Sequence, residues 1–231
     1  MSLRVAFDMD GVLSDFSGAY HEIEARLFDG KTEPSPPQDE DGGPVSTADA
    51  AISEGIKRER RRRAAVWDVI RTTDNFWIGL RPIEPHAVRR LKTLAIEHRW
   101  EVFFITQRPS TIGDTVQRQT QRWLCEQGFD LPSVLVLPGS RGPAAATLSL
   151  NYYVDDSATN CVDLTADSHA RSILILDDAD ATARATARRL GIATARSIGV
   201  ALDILQSASA AQSRPDVLGN LVRLVGWKQK T

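Results

Sequence analysis

Two kinds of segment alternate along this 231-residue chain. Short apolar runs stop abruptly at a polar residue: Leu3 to Phe7 before Asp8, Val102 to Ile105 before Thr106, and Tyr152 to Val154 before Asp155. Runs of this length with no polar face read as strands buried on both sides. Val134 to Leu137 and Ile173 to Leu176 share the pattern. Between them apolar residues recur at helical spacing: Val88, Leu91, Leu94 and Ala95 within Pro85 to Glu97, then Ile112, Val116, Trp123 and Leu124 within Ser110 to Gln127, stopping at Gly128. Strands and helices in this order predict an α/β fold, a doubly wound, Rossmann-like parallel sheet. Ligands of such sheets sit beyond the carboxyl ends of the strands, where Asp8, Thr106 and Asp155 or Asp156 would converge.

The pattern is interrupted after the first strand. Phe16 to Phe28 and Asp49 to about Arg71 read as helices, the second with a broken apolar stripe of Ile52, Ile56, Val66 and Ile70. The Pro-, Gly- and acid-rich stretch 31–49 between them is expected to be a mobile loop. Residues 16–81 are therefore predicted to form a small helical cap inserted into a core of 1–15 and 82–231. Val217, Leu218, Leu221, Leu224 and Val225 predict a final helix docked on that core.

Composition narrows the class without changing the architecture. A chain of this length at ~150 residues per domain fits one domain with an insertion. Its 42% hydrophobic and 25% charged residues exclude wholesale disorder, collagen and coiled coil. A net charge of -2 makes no case for a nucleic-acid or membrane partner. The one basic cluster, Lys57 to Arg63, points around most of a helix and reads as a solvated face. Cys125 and Cys161 make neither a disulfide framework nor a zinc site, so a reducing, cytoplasmic setting is expected. No apolar run is long enough to span a bilayer, and no signal-peptide core follows Arg4. A homodimer is left open.

The chemistry concentrates at Asp8-Met9-Asp10-Gly11-Val12. Two carboxylates at a strand end, followed by Gly, are costly to desolvate without a partner. A hard cation with oxygen ligands relieves that cost and would neutralise a bound phosphate. Taken alone, the same pattern also fits a calcium-binding or surface turn.

With its neighbours the segment resembles the first motif of the haloacid dehalogenase (HAD) superfamily, an apolar strand followed by Asp-x-Asp-Gly-Val/Thr. The second motif, a Thr or Ser ending the next strand, is matched by Phe103-Phe104-Ile105-Thr106. The fourth, an acidic pair ending another strand, is matched by Tyr152-Tyr153-Val154-Asp155-Asp156, with Asn160 following. The third motif departs: no Lys lies between Lys92 and Lys228, and Arg141 stands where the family has Lys. The resemblance covers 1–15 and about 80–200.

The resemblance implies a magnesium-dependent phosphomonoesterase acting on a small phosphorylated substrate. Asp8 would attack phosphorus to give an aspartyl-phosphate, and Asp10 would protonate the leaving alcohol and then activate water. Thr106, Arg141 and the amides around Gly11 would bind phosphoryl oxygens. Mg2+ would be held by Asp8, the Asp10 carbonyl, and Asp156 supported by Asp155. Phe76-Trp77-Ile78-Gly79-Leu80-Arg81-Pro82-Ile83 and Asp8-Met9-Asp10-Gly11-Val12-Leu13-Ser14-Asp15-Phe16 further resemble the 5'(3')-deoxyribonucleotidase branch. There, Phe16, Trp67, Phe76 and Trp77 would form an aromatic wall over a nucleoside monophosphate. Gln107 and Arg108 are further candidate substrate contacts, at positions where that branch more often has small polar residues. A sugar phosphate or another small metabolite is the alternative substrate, and a catalytically weak phospho-ligand binder the alternative function. Ile173-Leu174-Ile175-Leu176-Asp177-Asp178 repeats the strand-plus-acids pattern but is expected to lie beyond the site as a strand-end turn.

Overall fold

A computed structural model describes residues 2–29, 47–177 and 179–212. Six strands, β1 (Arg4–Asp8), β2 (Glu101–Thr106), β3 (Ser133–Val136), β4 (Tyr152–Asp155), β5 (Arg171–Ile175) and β6 (Ala193–Ala195), form one parallel sheet in the order β3-β2-β1-β4-β5-β6. The elements between and after them are helices: α1 (Phe16–Phe28), α2 (Thr47–Thr72), α3 (Ala87–His98), α4 (Val116–Glu126), α5 (Gly142–Thr147), α6 (Ala158–Asp167), α7 (Ala181–Arg189) and α8 (Ile198–Gln212). The α/β doubly wound class expected from the apolar runs is the one observed. No described helix is long and apolar enough to cross a membrane.

The period-2 alternation of the strands divides the core and aims the polar ends. Val5, Phe7, Phe104, Tyr152, Val154 and Ile173 pack on one side with residues of α3 and α8. Ala6, Ile105 and Tyr153 pack on the other with Ala145 of α5 and Leu164 of α6. Asp8, two residues after Ala6, and Asp155, two after Tyr153, therefore turn toward the side that carries α5 and α6. Pairing of Asp8 with Ile105 and of Phe7 with Val154 brings Asp8, Thr106 and Asp155 to one end of three adjacent strands.

A separate apolar cluster joins Ile23 of α1, Val66 and Ile70 of α2, Trp77, Leu80 and Val116 of α4. Residues 76–78 form a single 3-10 turn. The two strands of chain leading into and out of residues 16–81 are tied together, Asp15 N–H donating to Arg81 O at 2.8 Å and Ile83 N–H to Leu13 O at 3.0 Å.

Several local expectations are corrected. The helix predicted over 110–127 starts only at Val116, because Thr115 caps it by accepting from Arg118 N–H. Ile112 lies ahead of it, exposed, with its N–H donating to Arg71 O. Ile52 and Ile56 are exposed too, so of the four expected residues only Val66 and Ile70 face inward, with Trp67 and Val69 packed beside them. Strand β6, with its Ala-Thr-Ala sequence, has no apolar run to announce it. The stretch 31–49 lies outside the described residues as far as 46, and Thr47 already opens α2. The helix expected around 217–225 and Asp178 also lie outside them.

Candidate active site

The turn after β1 builds the floor of the site. Leu13 N–H and Ser14 N–H both donate to Met9 O, closing residues 9–14 into a compact loop. Gly11 sits at φ +80, and a Cβ placed on it would come within 1.9 Å of Asp156 Oδ2. Both the left-handed backbone and the close approach of a carboxylate demand glycine at this position.

Asp8, Asp155 and Asp156 converge, each offering a carboxylate oxygen within 4.8 Å of the others. Asp155 is fully buried and held by three donors: Tyr153 O–H to Oδ2 at 2.5 Å, Asn160 Nδ2 to Oδ2 at 3.0 Å, and Ser157 N–H to Oδ1 at 2.7 Å. Asp156 is at the rim. Burial, followed by repulsion from Asp155 and Asp10, raises the Asp8 pKa well above the ordinary carboxylate range. Asp156 is pushed up to about 6 by loss of solvent and by Asp155. Burial also raises Asp155 despite its three donors. Three carboxylates that resist ionising together are the donor set a hard divalent cation binds, because the cation offsets both the desolvation and the mutual repulsion.

Two arginines enter from either side. Arg141, immediately before α5, is buried, with Nη2 3.5 Å from Asp8 Oδ1. Its Nη1 donates to Gln107 Oε1 at 2.9 Å and to Gly139 O at 3.2 Å, while the buried Nε has no hydrogen-bond partner. Burial works against this cation, but Tyr153, Asp8 and Asp155 outweigh it and raise its pKa. Arg108 instead grips Asp10, Nε to Oδ2 at 2.9 Å and Nη2 to Oδ1 at 2.6 Å.

Of the residues expected to act together, Asp8, Asp155, Asp156 and Arg141 meet at one place, and Thr106 ends the neighbouring strand β2, buried. The Asp10 side chain is held by Arg108 beside Ser14, outside the three-carboxylate group but near enough for its charge to raise the pKa of Asp8 and of Asp156. Gln107 is tied at both ends, its Nε2 donating to Pro138 O at 2.9 Å while Oε1 accepts from Arg141, so it braces Arg141. Arg108 spends its donors on protein groups, which removes it from the substrate contacts expected of it.

Of the expected aromatic wall, Trp77 is corrected. Trp77 is 1% exposed, with its indole N–H donating to Pro109 O and the Arg108 guanidinium over its ring. It has no face to offer a base. Phe16 stacks on Trp67 at 5.6 Å between centroids and lies 6.4 Å from Phe76, so these rings pack α1, α2 and the 3-10 turn against one another. Tyr153, Ser14 and Thr120 contribute as well, beyond the residues that the sequence motifs single out. A signal existed for the first: a phenol two residues before Asp155 in a buried strand shares its face and needs a polar partner. Asp177, at the end of β5, accepts from Ala179 N–H in a local turn.

No protein-family model matches the sequence, and no curated protein matches it. Solved structures do. A HAD-family hydrolase from Deinococcus radiodurans R1, solved with bound phosphate and sodium, is 17% identical with a TM-score of 0.54, over 92% of this chain and 96% of its own. A Thermotoga maritima protein assigned as a beta-phosphoglucomutase is 18% identical with a TM-score of 0.52, over 88% of this chain and 98% of its own. The likeness is one of fold, and the class it defines is the α/β architecture shared with HAD-family proteins.

Proposed function

We propose that the protein is a phosphomonoesterase of the HAD superfamily that uses a divalent cation, magnesium in the first instance, and an aspartyl-phosphate intermediate. The observation that carries this reading is the setting of Asp8: a buried carboxylate at a strand end with Arg141 on one side and Asp155 and Asp156 on the other. A nucleophile for phosphorus needs its own charge and that of the phosphoryl group balanced at once, and this arrangement supplies both halves. Asp8 and Asp156, with the Asp10 carbonyl, would hold the cation, and Asp155 would support them. The bound ion would neutralise phosphoryl charge.

The remaining steps belong to the chain's own residues. Asp8 attacks phosphorus while Arg141 binds a phosphoryl oxygen through the guanidinium edge that carries the unpartnered Nε. Thr106 and the loop amides bind others. The alcohol leaves with a proton from Asp10, and Asp10, now a base, takes a proton from the water that cleaves the intermediate.

For the substrate we favour a small phosphorylated metabolite such as a sugar phosphate, since Trp77, one of the rings expected to stack on a base, is enclosed, and the half-buried Phe16, Trp67 and Phe76 pack on one another. The nucleoside monophosphate reading rests on the sequence resemblance alone. A hydrolysis screen with magnesium over sugar phosphates, nucleoside monophosphates and p-nitrophenyl phosphate tests both. Turnover of sugar phosphates with poor turnover of nucleotides is expected. No turnover of any phosphomonoester would overturn the proposal, and preference for nucleotides would restore the alternative.

A further inference from the structure

Arg108 is the most completely enclosed cation of the described residues near the site, its side chain having 0% of its surface exposed. Four of its N–H donors are committed: Nε to Asp10 Oδ2, Nη2 to Asp10 Oδ1 and to Ser14 Oγ at 2.8 Å, and Nη1 to Thr120 Oγ1 at 3.0 Å. Thr120 O–H in turn donates to Val116 O, so its oxygen is oriented to accept. The Trp77 ring covers the guanidinium face at 4.8 Å, and Trp77 is itself fixed by hydrogen bonds to Pro109 and Gln119. Arg108 is thus anchored from α4 and from the 3-10 turn, and presents a rigid fork to one carboxylate.

The pair is asymmetric. Asp10 retains 24% of its side-chain surface exposed. Its Oδ1 receives Nη2 and lies 2.9 Å from Ser14 Oγ, whereas Oδ2 receives Nε alone. A carboxylate oxygen accepts two hydrogen bonds, so Oδ2 keeps an open lone pair. A buried ion pair of this kind is weak as a source of stability, because desolvation offsets most of its attraction. What a two-pronged guanidinium does give is orientation.

We propose that Arg108 is a positioning residue: it fixes the Asp10 carboxylate in one rotamer with Oδ2 as the atom that exchanges protons with the leaving alcohol. The proposal rests on the reading of Asp10 as acid and base. It separates Arg108 from Arg141, which faces the nucleophile.

The test compares kcat/KM for p-nitrophenyl phosphate, whose leaving group departs unprotonated, with that for an alkyl phosphate, whose leaving group does not. Arg108→Ala should lose about 10²-fold on the alkyl ester and only a few-fold on the aryl ester, within the range that proton transfer contributes. Arg108→Lys, which keeps the charge but not the fork, and Thr120→Val, which removes one anchor, should show the same split to a smaller degree. They carry the test should Arg108→Ala fail to fold. Equal losses on both esters in the folded variants would make Arg108 structural and overturn the proposal. A gain in activity would mean that Arg108 restrains Asp10 and would overturn it too. Asp10→Asn separates the two levels: if it shows no split, the acid-base reading fails, whereas a split there without one in the Arg108 variants sinks the positioning role alone.

Discussion

The two buried arginines near the site do opposite things with the same side chain. Arg108 closes on Asp10 with both prongs at 2.6 and 2.9 Å, under the lid of Trp77. Arg141 approaches Asp8 with one nitrogen at 3.5 Å and leaves a buried Nε unpaired. The first is a finished contact and the second an unfinished one. A buried donor without a partner costs free energy in the resting protein, and under the proposed function a phosphoryl oxygen would complete the hydrogen bonding of this incomplete cradle. Charge alone therefore does not tell the two arginines apart. What does is that Arg141, beside Asp8, has bonding capacity left open, while Arg108 is closed on Asp10.

Removing the group that Arg141 faces should have the largest effect. Asp8→Asn is expected to abolish turnover, a loss on the order of 10⁴ or more, as when a covalent nucleophile is deleted elsewhere. Circular dichroism should show the fold retained. Asp10→Asn should cost ~10² to 10⁴ in hydrolysis of an alkyl phosphate. Activity at the parent level on that substrate would assign the proton transfer to another group.

The open cradle gives the next effect. Arg141→Ala should lower kcat/KM by ~10² to 10³, the size associated with one preorganised donor to developing charge. Arg141→Lys, which keeps the charge but not the planar fork, should recover part of it. Unchanged kinetics in both variants would erase the contrast between the two arginines.

The closed side predicts a loss of stability rather than of specificity. Trp77→Ala should destabilise by ~3 to 5 kcal/mol, as for other buried Trp truncations. Turnover of nucleotide and aryl substrates should fall together in thermal and kinetic assays. A selective loss on nucleotides would return Trp77 to the substrate pocket.

The smallest effect concerns pH. Asp156 titrates near 6 in the folded protein against an ordinary value of 3.8, so the folded state holds the extra proton between those values. Stability contributed by this proton is complete below about pH 4 and is lost as pH rises through 6. Without divalent cation, the melting temperature should therefore fall by a few degrees more from pH 5 to 7 in the parent than in Asp156→Asn. Identical slopes would remove the carboxylate repulsion from the account.

The strand ends were legible because each is an apolar run cut off by a polar residue, and Asp8, Thr106 and Asp155 are those residues. Arg141 was legible because it stands where the resemblance of the motifs calls for a Lys and no Lys lies between Lys92 and Lys228. The role of Arg108 was not, since its partner lies 98 positions away and nothing local connects them. Trp77 misled for a related reason: an aromatic in an insertion reads equally well as a stacking platform or as packing, and only its burial under Arg108 decides. Ile112 shows the limit of periodicity, since an apolar residue in phase with a helix lies outside it once Thr115 caps the chain.

The most direct measurement is a rapid acid quench of the enzyme turning over phosphate ester with magnesium, followed by peptide mass analysis. A phosphoryl group is expected on the peptide containing Asp8, and neither that group nor turnover in Asp8→Asn. A phosphoryl group on a different residue, or hydrolysis near the parent rate in Asp8→Asn, would contradict it.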